Sequence, residues 1–117
     1  MAAPNIVNVS TITGKTAIQA VGTSATAIVS NSAGSNKVLK INALYVSNVD
    51  GGVAADITID LYRGSVAYHI AKTMSVPADA TIDVLSKAIY LEEGDDLRLT
   101  ASATGDLEAV CSYEEIS

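Results

Sequence analysis

The chain has 117 residues, 49% of them apolar, and a formal net charge of −6 from seven Lys and Arg against thirteen Asp and Glu. That length fits one domain with a buried core. The scattered cations, Lys15, Lys37, Lys40, Arg63, Lys72, Lys87 and Arg98, form no run or stripe that would grip a phosphate backbone, so nucleic-acid binding is not expected.

Other bounds follow from what the chain lacks. No apolar run approaches the roughly 20 residues of a membrane span, so no membrane partner is expected. The opening MAAPNIVNVS has no basic segment followed by an apolar one, unlike a secretory signal, so folding in a cytoplasm is expected. One cysteine, Cys111, precludes an intramolecular disulfide and reads as a small buried hydrophobe within an alternating run. Ala, Val and Ile dominate the apolar set, Phe and Trp are absent, and all five aromatics are Tyr. A core of such small side chains is thin, so partners are expected to contribute to stability.

Residues 1–12 read as an extended arm or first strand, with Pro4 near its start. Val7 and Val9 alternate with Asn8 and Ser10. Ile6, Val7 and Val9 are the apolar residues with which such an arm would add a strand to a neighbour's sheet. Residues 13–117 read as a single sandwich domain. Thr13-Gly14-Lys15-Thr16 resembles the end of a phosphate-binding loop, but the glycine that loop requires falls at Val9, and no helical pattern follows. Gly14 is instead expected to turn the chain into a strand over 16–21. A second strand follows over 25–30, and Asn31–Asn36 forms a loop of turn residues.

The longest strand is expected over 37–48, with Leu39, Ile41, Ala43 and Tyr45 on one face and Val38, Lys40, Asn42, Leu44 and Val46 on the other. Asp50-Gly51-Gly52 is expected to supply positive-φ residues before a strand over 54–63. In that strand Ile57, Ile59 and Leu61 point one way, and Thr58, Asp60 and Tyr62 the other. Arg63-Gly64-Ser65 turns the chain into a strand over 66–72, and Pro77 breaks the ladder. Further strands are expected over 81–85, 89–91, 96–102 and 106–113, the last pair joined at Gly105. No helix of three turns can be placed. Eight to nine strands with regular turn signals give an all-β fold, a two-sheet antiparallel sandwich of the jelly-roll kind. Its core is expected to include Ile57, Ile59, Leu61, Ile70, Ile82 and Val84.

Little in the chain suggests chemistry. His69 is the sole histidine, and with Cys111 it makes no zinc set, so no cofactor or metal is expected. Glu92, Glu93, Asp95 and Asp96 surround Gly94 but lack the alternating spacing of a calcium loop, and read as a solvated turn. No catalytic constellation appears, and no enzymatic activity is expected. Tyr rings pack while their hydroxyls stay wet, which suits interfaces. Tyr62, opposite the apolar face of its strand, is the leading contact residue, with His69 beside it as an ordinary surface or interface position. Tyr45 and Tyr113 are expected in the core.

The phrases TITGKTA, LYVSNVDGG, ADITIDLYR, AYHIAKTMSVPADATIDVL, IYLEEGDDLRLTAS and DLEAVCSYEEIS cover most of the chain. In them it resembles small all-β virion proteins of tailed bacteriophages, of the marine and cyanobacterial phage type. The resemblance implies a non-enzymatic structural protein, above all a capsid decoration or cement protein. It would bind the major capsid protein or neighbouring virion proteins on the outer head lattice as a homo-oligomer, with a trimer favoured. The location implied is the virion, assembled in the host cytoplasm. The alternative it implies is a tail-side neck, baseplate or fibre-associated sandwich acting as an adaptor or in host-surface binding.

Overall fold

A computed structural model describes residues 9–117. Nine strands follow in chain order: β1 Ile12–Ala20, β2 Thr26–Ser30, β3 Val38–Asn48, β4 Ala55–Arg63, β5 Val66–Val76, β6 Thr81–Asp83, β7 Ile89–Leu91, β8 Asp96–Ala101 and β9 Leu107–Ile116. They form two antiparallel sheets, as the alternation predicts. The first runs β1-β9-β3 and ends on β6 and β7, which pair with different parts of β3; the second runs β2-β8-β4-β5. Counting β6 and β7 as one interrupted strand, this is the strand order of an eight-strand jelly roll, the connectivity expected above.

The core fills the space between the sheets. Ile41, Leu44, Val46, Ile57, Ile59, Leu91, Leu97, Leu99 and Cys111 are sealed from solvent. Each large aliphatic buried there contributes roughly 1.5–3 kcal/mol of transfer free energy. Ile57 and Ile59 match expectation. Leu61, Ile82 and Val84 pack against the core only half-buried, and Ile70 is exposed.

The departures at Tyr45 and Ile70 share a cause, the β-bulge. In β3 the register against β9 shifts between Ile41 and Ala43, so Asn42 is an extra residue without a partner. Side chains alternate strictly, so one extra residue moves everything beyond it to the opposite face. Leu39 and Ile41 therefore share the inner face with Leu44 and Val46, while Ala43 and Tyr45 turn outward. Tyr45 is 43% exposed, not core. In β5 two register shifts against β4 displace Ile70 in the same way, and Thr73 takes a φ of +46°, its N–H donated to the Thr58 hydroxyl at 3.1 Å.

Two turn expectations also change. Gly14 lies inside β1, opposite Glu114, and makes no turn. Neither Gly51 nor Gly52 has a positive φ; the connection is held by the Asp50 carboxylate, which accepts from the Gly52 N–H at 2.8 Å, and by the Asp79 N–H, which donates to the Asp50 carbonyl at 3.3 Å. The β4–β5 hairpin follows expectation. Gly64 and Ser65 both take positive φ, near +60°, the geometry of a tight two-residue turn whose twist matches the strands.

Each end of the sandwich is closed by a buried asparagine. Asn31 donates its side-chain N–H groups to the carbonyls of Lys37 and Leu91 at 2.9 and 3.0 Å, and its Oδ1 accepts from Ser35. Asn48 donates to the carbonyls of Val53 and Val76 at 2.9 and 3.0 Å and accepts from the Asp50 N–H at 2.9 Å. A buried amide that satisfies several backbone groups at once fixes the loops that carry them.

Candidate functional site

The outer face of the β1-β9-β3 sheet carries the clearest unburied apolar feature. Ile18, Val110 and Tyr45 occupy one cross-strand row, Ile18 opposite Val110 and Val110 opposite Tyr45. Ile18 is 79% exposed, and Val110 about as exposed as Tyr45. Beside this row a shallow groove of about 470 Å³ runs along the β1–β9 seam, lined by Ile18, Gln19, Ala20, Glu108, Ala109 and Val110. Gln19 donates to the Ala27 carbonyl at 3.1 Å, which ties the first sheet to β2, while its Oε1 is buried without a partner.

A polar counterpart lies on the outer face of the other sheet. His69 sits opposite Asp60, and Asp60 opposite Arg98. His69 is exposed. Tyr62 is half-buried, because the Arg98 guanidinium lies 3.5 Å from its ring centroid and covers it. The most exposed tyrosine is instead Tyr68, at 58%, which with Val66 projects from the hairpin end of β5. Asp60 is buried and its Oδ1 has no hydrogen-bond partner.

The acidic turn is packed, not simply solvated. Arg63 Nε donates to Asp95 Oδ1 at 2.7 Å, and Arg63 also pairs with Glu92 at 2.9 Å. The Glu92 N–H donates to Asp95 Oδ2 at 2.8 Å, and Glu93 accepts from the Asn36 N–H at 3.0 Å. Burial pushes the Asp95 carboxyl upward, but the Arg63 hydrogen bond and the Glu92 N–H outweigh it and leave the group below its usual range. These carboxylates are engaged in holding loops. No group of three His, Cys, Asp or Glu able to hold a metal occurs among the described residues. A second pairing joins Glu115 to Lys37 at 2.9 Å and to Lys15 at 3.1 Å, and these hydrogen bonds lower the Glu115 carboxyl.

Of the residues predicted to bind partners, Ile6 and Val7 lie outside the described residues. Val9 is half-buried and in no strand. Tyr62 and His69 lie on the outer face of the β2-β8-β4-β5 sheet, away from the Ile18–Val110–Tyr45 row. That row was not predicted, because nothing local reveals which strands lie side by side or that Asn42 reverses the faces of β3. Ile18 offered one hint, as an isolated large aliphatic between Ala17 and Gln19.

No protein-family model and no curated protein matches the chain. Among solved structures, it is similar in fold to a protein of the Bacillus endospore appendages, described as a novel family of disulfide-linked pili. That likeness has a TM-score of 0.53 and 14% identity over 92% of this chain and 88% of the other. A pentameric capsid protein isolated from metagenomic phage sequences aligns with a TM-score of 0.42 and 16% identity, over 97% of this chain and 64% of that one. A second structure of such a protein, solved by iodide phasing, gives the same score over 65% of its length. The pilus likeness is one of fold alone.

Proposed function

We propose that this chain is a non-enzymatic structural subunit of a phage particle, and specifically a decoration protein that binds the outer surface of the head. The observation that carries the reading is the Ile18–Val110–Tyr45 row, a contiguous apolar strip left on the outside of a sheet whose core side is already filled. Exposed apolar strips of this kind mark protein contacts. The sequence resemblance to tailed-phage virion proteins favours the major capsid protein as partner, gripped across adjacent subunits so that the lattice resists outward pressure from packed DNA. A negative chain with dispersed cations suits a position outside the DNA compartment.

Location and copy number on purified particles test the reading. Decoration requires on the order of hundreds of copies spread over the head, whereas roughly six to eighteen copies at one vertex or on the tail overturn it and favour a tail-side adaptor. A double variant, Val110→Lys with Tyr45→Glu, is expected to fold normally and to lose at least tenfold in co-sedimentation with undecorated heads. Undiminished binding by that variant removes the apolar row from the interface.

A further inference from the structure

The four sheet edges of the sandwich are not alike. β2 is five residues long and its register breaks between Ala27 and Val29. β5 is broken twice against β4. The β6/β7 edge consists of two separate three-residue strands. Such short, bulged and interrupted edges resist pairing with another chain. β1 is the exception: nine residues, paired to β9 without a single register shift, and along Ile12–Thr16 exposed throughout.

The backbone parity of β1 is fixed by its flanks. Thr11 and Ser117 exchange both hydrogen bonds at 2.9 Å, and the Val21 N–H donates to the Leu107 carbonyl at 2.9 Å. Odd-numbered residues of β1 therefore bond to β9, and the N–H and C=O groups of Ile12, Gly14, Thr16, Ile18 and Ala20 point away from the sheet. Among the described residues no strand pairs with them.

We propose that β1 is the contact with a second copy of this chain, the two β1 strands pairing antiparallel about a two-fold axis through Thr16. This rests on the reading of the chain as an assembling structural subunit, and names its partner surface. Centred on Thr16, every outward group finds a counterpart: Ile12 opposite the partner's Ala20, Gly14 opposite the partner's Ile18, and Thr16 opposite itself. Ile18 then lies over a glycine whose Cβ position meets nothing within 4 Å. Diagonally it reaches the partner's Ile12, itself exposed, so two apolar surfaces are covered together. Lys15 faces the partner's Ala17. Sliding the pair one step to centre on Lys15 sets two like charges directly opposite, which is unfavourable. Sliding it the other way, to centre on Ala17, removes Ile12 from the ladder. Parity, charge and length thus select one arrangement. A head-to-tail joint would need a second long regular edge, which the bulged and interrupted strands do not supply.

A charge-swap at the axis tests this on the full chain in solution. Sedimentation equilibrium is expected to show twice the monomer mass for the wild type at high concentration. Thr16→Lys and Thr16→Glu, both at an exposed position whose backbone makes no bond to β9, should each sediment as monomers with unchanged circular dichroism. Mixed in equal amounts they should recover the dimer, because only a two-fold through residue 16 sets the new charges opposite one another. A wild type that stays monomeric overturns the proposal, as does a dimer that survives either substitution or a mixture that fails to associate. A monomer that dimerises only after removal of residues 2–8 overturns it too, since the chain's own N-terminus would then be what covers the edge. No capsid enters this measurement, so its failure is separable from loss of head binding.

Discussion

Arg63 and Asp95 form a bidentate ion pair across 32 positions of sequence, joining the tip of the β4–β5 hairpin to the turn that leads into β8. Asp95 is 1% exposed, whereas the arginine side chain is about half in water. Removing the arginine leaves a buried carboxylate with only the Glu92 N–H. Arg63→Met is therefore expected to cost about 2–3 kcal/mol, toward the low end for a buried pair because one partner is solvated. Urea unfolding followed by circular dichroism checks this, and a loss below about 0.5 kcal/mol, the range of a surface pair, contradicts it.

The same pair contributes to the pH dependence of the fold. Asp95 and Glu115 both titrate below their usual ranges in the folded chain. The unfolded chain then binds more protons wherever the pH lies between the folded and unfolded values, so stability rises with pH there. The contribution is complete above the unfolded carboxylate range, near pH 4, and drains away as the pH falls through the folded values. The urea midpoint should be flat from about pH 7 to 5 and drop below that, with a shallower drop in Arg63→Met.

Tyr45 and its neighbour Leu44 give the most direct check on the bulge at Asn42. Leu44→Ala should cost about 2–5 kcal/mol, as expected for a sealed core leucine, and Tyr45→Ala less than about 1 kcal/mol. Unbroken alternation along β3 would put the larger loss at Tyr45. Thermal unfolding of the two single variants decides between the faces.

Cys111 reports on the integrity of the core. Its thiol is sealed opposite Leu44, and burial pushes it up to about 11. At neutral pH it should react with a thiol reagent at least a hundredfold more slowly in the native chain than in urea, since both access and thiolate are suppressed. Rapid labelling of native protein would show that the β9 face opens.

The sandwich could be read from the sequence because its signals are local. Ile57 and Ile59 alternate with polar residues, Gly64-Ser65 is a hairpin turn by composition, and Pro77 closes a strand. What escaped depends on partners distant in the chain. A bulge at Asn42 or Ile70 is a property of two paired strands, and neither strand alone encodes it. Arg63 appeared as one scattered cation and Asp95 as one of four turn carboxylates until topology brought them together. For the same reason the apolar row stayed hidden: Ile18, Val110 and Tyr45 come from three strands, and one of them changed face at a bulge. Tyr62 showed the right parity for exposure, but Arg98, from the neighbouring strand, lies over it.

Asn31 and Asn48 have a kinetic consequence. Connecting loops usually exchange their amide hydrogens quickly and take up change readily. Here the loops around 31–37 and 48–53 hang on side-chain amides buried at the two ends of the sandwich. Opening either loop breaks several bonds to one buried group together. Their amides should therefore exchange on the timescale of the strands, and insertions should be tolerated less well there than at the exposed residues 23–25, where no buried side-chain amide holds the loop among the described residues. A jelly roll closed in this way has little freedom to reshape its tips around a ligand, which leaves recognition to its flat faces and its one straight border.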